Sequence, residues 1–573
     1  MHNRFKIFNL LYLFIFISCN SPKNQLGVFK VLPTPQSFQI KGVSLLNSSD
    51  INNYYNPHNI KLPKGSSFFN EIKTVNNPKE AQLIIKINPK LKIKSEGYHL
   101  DIKDNKVILY SKDKAGIIYG FATLEQLIED AEEQNVNLPK CSIKDYPLIG
   151  YRAIHLDLKH HRETLDYYYK LIDQLKKYKI NGIIAEVEDK IKYIRRPSIA
   201  SNDAISIEEW QNLSLYAINR NVSISPLVQG LGHASFILKH EKYINLRDEP
   251  SNDWAFDPLN PRSYDLQYDL YKDALEALPH GKYIHVGGDE VITSGRGSGM
   301  SAMNLQLKWL NKVCKFANDS GRIPIFWDDM PLKYAGVYHT MFKPNMSKNL
   351  VDSIWSKNEI LLNKLLPLFP KKCIYMRWNY HTPNSYGNLK AIDWFQKNGL
   401  MVMGATAGQT RWVLMPQREG NLEQIKDFSL ISIKNNLNGL LLTLWDDDSP
   451  HFELYKRGII AFAENTWSGD KISKSELKQN YRRRQFSIKA ANEEYAFIDQ
   501  LELPVASWKN ILLKGNKRNF LARMENPLMN GLIDLPDIDN PGIWSKKYEN
   551  KLKEAKNMIL ISDSISLKIK KIK

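Results

Sequence analysis

Two adjacent carboxylates, Asp289 and Glu290, follow Gly287 and Gly288 at the end of the short apolar run Tyr283-Ile284-His285-Val286. Neighbouring side chains of a strand point to opposite faces, so the two acids can share a pocket only where the chain has just left the strand. The glycines permit that turn and let a ligand come close to the backbone. Two carboxylates in one pocket are the usual equipment for breaking a glycosidic bond. The bland alternative is a strand end with two solvated acids.

The elements that must position these acids are read from the pattern around them. Short apolar runs at 153–157, 182–186, 223–227, 283–286, 324–327, 373–376, 401–405 and 439–444 alternate with amphipathic stretches such as Tyr168, Leu171, Ile172 and Leu175. Eight strand–helix units in this length predict an α/β fold, a (β/α)8 TIM barrel over residues 148–470. An open doubly wound sheet is the alternative, but no Gly-rich phosphate loop follows the first run. Barrel sites form at the carboxyl ends of the strands. The polar residues at those ends are Asp157 and His161, then Glu186, Glu188 and Asp189, then His233, then the acid pair. Trp327, Asp328 and Asp329 follow, then Trp378 and Tyr380, then Trp445 with Asp446, Asp447 and Asp448. Acids that accept hydroxyl hydrogen bonds and indoles that pack on a pyranose face describe a sugar pocket.

Residues 19–147 read as a small α+β domain. Tyr98, Leu100 and Ile102 alternate, Asp104-Asn105 turns, and Val107 and Leu109 alternate again, which is a hairpin. Ile117, Phe121, Leu124 and Ile128 then mark one face of a helix. Residues 471–573 read as a helical C-terminal region, with Arg482-Arg483-Arg484 as a solvated face. The formal charge of +18 is spread along the 573 residues. No compact basic stripe with interleaved aromatics stands out, so a nucleic acid partner is not expected. Residues 1–18 have a signal-peptide layout: Arg4 and Lys6 precede an apolar run, 7–17, too short to span a membrane. Phe16-Ile17-Ser18-Cys19 resembles a relaxed bacterial lipobox, which predicts Cys19 as a lipidation site, a membrane anchor and a location in the cell envelope; ordinary cleavage with Cys19 incidental is the other reading. Cys141, Cys314 and Cys373 are widely spaced and odd in number, and suggest neither a disulfide framework nor a zinc site.

His285-Val286-Gly287-Gly288-Asp289-Glu290 fits the H-x-G-G-D-E signature of glycoside hydrolase family 20, the β-N-acetylhexosaminidases. Tyr151-Arg152-Ala153-Ile154-His155-Leu156-Asp157 resembles the family's R-G-x-x-L-D opening, with Ala153 in place of glycine. Gly232-His233 fits its G-H element, and Ala463-Glu464-Asn465-Thr466-Trp467-Ser468 resembles its A-E-x-x-W-S closing helix. The resemblance covers about residues 28 to 468. Ile184-Ala185-Glu186-Val187-Glu188-Asp189 and Trp445-Asp446-Asp447 depart from the common H-W-H-L-T-D-D and W-G-E, and look more like the hexosaminidase-D-like branch.

The resemblance implies retaining, substrate-assisted hydrolysis of terminal N-acetylhexosamine, in which the sugar's 2-acetamido oxygen forms an oxazolinium ion. Glu290 is then the general acid and base, its pKa raised by burial beside Asp289. Asp289 holds the acetamido N–H. Arg152 is the expected clamp on ring hydroxyls. His233 is placed with the substrate-binding group, and both it and His285 orient the acids. Asp157 and Glu188 are supporting groups. Trp327, Trp378 and Trp445 wall the sugar, Tyr380 polarises the acetamido carbonyl with Tyr375 as competitor, and Asp446 and Asp447 take the far hydroxyls. No metal or cofactor is expected. A glycan-binding lipoprotein without turnover, a two-carboxylate glycosidase and a disaccharide-releasing enzyme are the competing readings, and GlcNAc against GalNAc stays open.

Overall fold

The computed structural model describes residues 27–60, 72–159, 162–408, 419–445, 452–500 and 539–570. Its first part is a mixed seven-stranded sheet. The strands are β1 (Ser37–Val43), β2 (Asn53–Tyr55), β3 (Lys73–Val75), β4 (Leu83–Ile87), β5 (Tyr98–Ile102), β6 (Val107–Ser111) and β7 (Pro139–Asp145), in the order β1-β7-β5-β6-β4-β2-β3. The hairpin read from the sequence is β5–β6, antiparallel, with Leu100 opposite Leu109. The helix Lys114–Gln134 covers one face of the sheet. Asp113 caps it by accepting the Gly116 N–H at 2.8 Å, and Asn135 ends it in the left-handed conformation. Ile117, Phe121, Leu124 and Ile128 are buried in the core this creates.

Eight parallel strands then close into a barrel: β8 (Arg152–Asp157), β9 (Gly182–Glu186), β10 (Ser223–Leu227), β11 (Tyr283–His285), β12 (Ile323–Trp327), β13 (Ile374–Trp378), β14 (Met401–Ala407) and β15 (Leu440–Thr443), with β15 pairing back on β8. The alternation of strand side chains sets two cores. Ala153, Ile184, Leu227, Ile325, Met376, Met403 and Leu441 fill the barrel interior. Ile154, Ile183, Ile224, Phe326 and Tyr375 face the helical ring instead. In that ring the helix Leu165–Lys177 buries Tyr168, Leu171, Ile172 and Leu175, the face its spacing predicts. Full burial of such side chains contributes about 1.5–3 kcal/mol each.

The two units meet over a buried ionic junction. Asp145, at the end of β7, accepts the Trp467 indole N–H at 2.8 Å, the Tyr98 hydroxyl at 2.6 Å and the Lys179 ammonium at 2.7 Å. Lys179 and Arg152 both lie over the Trp467 ring, at 4.7 and 5.0 Å. Burial depresses the Lys179 pKa, against the attraction of Asp145. The helix Lys456–Ser468 thus closes the barrel and also touches the segment before the accessory sheet: Glu464 accepts the Thr34 N–H at 2.7 Å.

The C-terminal region is helical, at Lys474–Gln485, Pro541–Lys547 and Glu549–Lys570. The arginine triplet, expected to be solvated, is largely buried. Arg482 pairs with Asp499, and Arg483 and Arg484 both pair with Asp130 of the helix Lys114–Gln134. The triplet fastens this region back onto the accessory domain. Among the described residues no helix is long and apolar enough to cross a membrane, and Cys19 lies outside them.

Candidate active site

Strand β11 is short because its sequence ends it. Gly287 and Gly288 adopt φ of +73° and +94°, and a Cβ would meet Gln229 Oε1 at 2.2 Å or Phe326 Cε2 at 2.3 Å, so only glycine fits at either position. The turn carries Asp289 and Glu290 out of the strand, Glu290 itself at φ +48°. The two acids do share one neighbourhood, but unequally. The Asp289 side chain is 11% exposed and that of Glu290 60%. Burial beside Asp289 was the expected means of raising the Glu290 pKa. The structure corrects this: Glu290 stands on the lip, past the end of the strand, and Asp289 is the enclosed member.

His233, at φ +51° after β10, sits between them, its Nε2 3.4 Å from Asp289 Oδ2 and 3.8 Å from Glu290 Oε2. The contact is charge attraction rather than an aligned hydrogen bond. Burial pulls the imidazole pKa down, but the charge of Asp289, with Glu186 and Glu290, carries it up to about 9, so His233 is an imidazolium at neutral pH. His285 is the opposite case. It is fully buried inside the barrel, 4.5 Å from the Trp327 ring, and burial lowers its pKa to about 3 despite the pull of Asp289 and Glu186. Its Nδ1 accepts the Gly287 N–H at 3.1 Å, which leaves the proton on Nε2. His285 therefore holds the turn, while His233 faces the acids.

Aromatic residues close the space beside them. Trp327, almost wholly buried, lies 6.2 Å from Trp445, and Trp378 lies 5.3 Å from Tyr380. The Tyr380 hydroxyl accepts the Trp445 indole N–H at 3.0 Å. Burial raises its pKa and the charges of Asp289 and Glu290 add to the rise, so the phenol keeps its proton and lies within reach of both acids' fields. Tyr375, its competitor, points out of the barrel: its hydroxyl donates to Pro370 O and its ring stacks on Phe395.

On the other side of Trp445, Lys159 lies 4.4 Å over the indole and pairs with Asp157 at 2.8 Å and Glu186 at 3.6 Å. His155 Nε2 meets Glu186 at 2.8 Å, and Gln229 Nε2 donates to the same carboxylate at 2.9 Å. Burial would raise the Glu186 pKa, but Lys159 and His155 hold it below the usual carboxylate range. Glu188 is pushed well up, by burial and then by the charge of Glu186. His155, Asp157 and Glu186 offer ligand atoms within 4.8 Å of one another, but the Lys159 ammonium already supplies the cation there.

Arg152 is not at this mouth. It opens β8 at the amino-terminal end of the barrel and, next to inward-facing Ala153, points outward. Its guanidinium donates to Lys179 O, Ile149 O, Gly150 O and Glu96. No ring-hydroxyl clamp is possible from there. Asp446 and Asp447 lie outside the described residues. Sequence reasoning missed Lys159, His155, Gln229, Arg377, which pairs with Asp328 at 3.2 Å, and Trp254, whose ring lies 4.2 Å from that of His233. Asp328 and Asp329 had entered only as rim acids. Counting inward positions along each strand would have found His155, two residues from Ala153 and from Asp157.

Two family models match the chain: "Glycosyl hydrolase family 20, domain 2" over residues 30–146 and "Glycosyl hydrolase family 20, catalytic domain" over residues 149–368. Hexosaminidase D of Bos taurus is 28% identical over 191 residues, 31% of this chain and 55% of that protein. The Beta-N-acetylhexosaminidase of Cellulomonas fimi is 21% identical over 232 residues, 36% of this chain and 47% of that protein. The chain thus spans about half the length of these curated relatives. A solved beta-N-acetylhexosaminidase from Bacteroides fragilis superposes with a TM-score of 0.62 at 19% identity, covering 81% of this chain and 96% of that one. A mutant Streptomyces plicatus beta-hexosaminidase in complex with product GlcNAc gives 0.61 at 15%, covering 82% and 96%. At such identities these structures speak for the fold. The two family models together cover more than half of the 573 residues, and the chain belongs to glycosyl hydrolase family 20.

Proposed function

We propose that the protein is a retaining exo-β-N-acetylhexosaminidase that removes terminal GlcNAc or GalNAc by substrate-assisted catalysis. The observation that carries this reading is the unequal pair: an enclosed Asp289 with the His233 ring beside it, and an accessible Glu290 next door. One acid is suited to hold an amide in place, the other to meet a leaving group. In the proposed reaction the acetamido oxygen attacks the anomeric carbon while Glu290 gives its proton to the departing glycosidic oxygen. An oxazolinium ion forms, and Asp289 accepts a hydrogen bond from its N–H and offsets its charge. Glu290, now a carboxylate, takes a proton from water, which attacks the anomeric carbon and returns the acetamide. Tyr380, a protonated phenol, is suited to donate to the acetamido oxygen, and Trp327, Trp378 and Trp445 to pack against the sugar. The similarity to Hexosaminidase D supports a place near that branch.

The test is release of p-nitrophenol from its β-GlcNAc and β-GalNAc glycosides, with inhibition by a thiazoline mimic of the cyclised intermediate. Sugar binding with no turnover of any acetamido-sugar would overturn the reading, and a covalent glycosyl-enzyme would replace it with the two-carboxylate scheme. We further infer from the sequence of residues 1–19 that Cys19 carries a lipid anchor and that the enzyme works at the cell envelope. Metabolic labelling with a radioactive fatty acid, lost in Cys19→Ala, tests this.

A further inference from the structure

Three buried carboxylates crowd behind Glu290 with too few cations to match them. Asp289, Asp328 and Asp329 are exposed by 8%, 0% and 1%. Asp289 has the His233 imidazolium, and Asp328 has Arg377, whose Nη1 lies 3.2 Å away. Asp329, the first residue of the short helix Asp329–Tyr334, forms no ion pair among the described residues and feels Arg377 only as a more distant charge. Its Oδ2 accepts the backbone N–H of Glu290 at 3.2 Å. Its Oδ1 is buried without a hydrogen bond, and so is Oδ1 of Asp289. Each acid thus buries one oxygen without a donor while the charge of Asp289 acts on Asp329, and a single proton between them removes both deficits.

We propose that Asp329 is a positioning residue that stays a neutral carboxylic acid in the working enzyme: its O–H donates to Asp289, and its other oxygen pins Glu290 by the main chain. The inference rests on the roles given above to Asp289 and Glu290. It explains how Glu290 keeps its left-handed conformation on an exposed lip, since its N–H is anchored to a buried group. It also orients Asp289, which then offers its remaining lone pairs to the substrate amide. Burial and the charge of Asp289 raise the Asp329 pKa to about 8 against the pull of Arg377. The other groups facing it are Asp328, which burial carries up to about 7 against the pull of Arg377 and whose two oxygens accept no hydrogen bond, and the phenols of Tyr334 and Tyr338, both of which keep their protons. A folded pKa raised in this way means that the proton is present below about pH 8 and lost above it.

Two variants of the full chain test the proposal. Asp329→Asn keeps a donor toward Asp289 and an acceptor for Glu290, but cannot ionise. Its kcat/KM profile should lose the step near pH 8 that Asp329 contributes, leaving only the fall set by Glu290 and His233. Asp329→Ala loses both bonds and should lose about 10²-fold in kcat. A parent whose alkaline limb is unchanged in Asp329→Asn, or an Asp329→Ala protein with parental kcat, overturns the proposal. Infrared difference spectra give an answer without turnover. The carbonyl stretch of one protonated carboxyl should vanish at neutral pH in Asp329→Asn. Its persistence overturns the inference even if the protein hydrolyses hexosaminides, and its loss in a protein that hydrolyses none leaves the shared proton standing while the functional reading fails.

Discussion

Replacing Arg152 by methionine separates two roles that the sequence alone could not tell apart. The guanidinium is fully buried, makes five hydrogen bonds to Lys179 O (twice), Ile149 O, Gly150 O and Glu96, and lies over Trp467. Methionine keeps roughly the length and packing of the side chain but takes the guanidinium from three carbonyls and from the Glu96 carboxylate, 13% exposed, which keeps the Asn181 and Asn221 amides, as Gly150 O keeps that of Asn181. Breaking one partner out of a buried ion pair costs about 3–5 kcal/mol. Hydrogen bonds to charged groups contribute about 1.5–3 kcal/mol each, and the carbonyls that regain water recover part of that, which keeps the total near the same range. Urea unfolding of parent and variant measures the loss. Kinetics on p-nitrophenyl β-GlcNAc, well below the unfolding midpoint, measures the rest: KM and kcat should each stay within about twofold, because Arg152 faces away from the mouth. A rise in KM beyond about tenfold with an unmoved unfolding midpoint would refute the reasoning and restore the ring-hydroxyl clamp.

Glu290→Gln should lower kcat on oligosaccharides by about 10²–10⁴-fold, and less on aryl glycosides whose leaving groups need little protonation; steady-state rates on the two substrate classes check this. Gly288→Ala drives a Cβ to 2.3 Å from buried Phe326 at φ +94°. It should destabilise the fold by about 1–3 kcal/mol and reduce kcat about 10²-fold as the acids move, read by thermal melting and by turnover. Glu464 is raised by burial to about 7. The unfolded chain sheds that proton near 4.5 and the folded protein only near 7, so the stability Glu464 contributes, about 3 kcal/mol, is fully present below pH 4.5 and lost between the two. In Glu464→Gln urea midpoints across this window should flatten.

The barrel strands were legible because parallel strands covered on both faces read as apolar runs, and runs 182–186 and 223–227 match β9 and β10. The acid pair was legible because two glycines forced a turn beneath it. What escaped depended on direction and distance. Arg152 was read by its motif rather than by alternation from Ala153, which turns it outward. The arginine triplet was read as solvated because Asp130, the partner of Arg483 and Arg484, lies some 350 residues away in sequence. Lys159 showed nothing in the sequence to say that it would fold over Trp445, and the exposure of Glu290 follows from a φ that no composition reveals.

The junction around Asp145 bears on how such a barrel can be moved. Its ions are shared out among the hairpin, the last sheet strand, the turn before β9 and the closing helix, so neither unit is electrically complete alone. Cutting the chain near residue 148 would hand the barrel a naked lysine and arginine, and hand the sheet an orphaned aspartate and glutamate. Anyone grafting this catalytic body onto another platform must transplant Asp145 and Glu96 as well, or first convert all four charges to well-packed apolar residues.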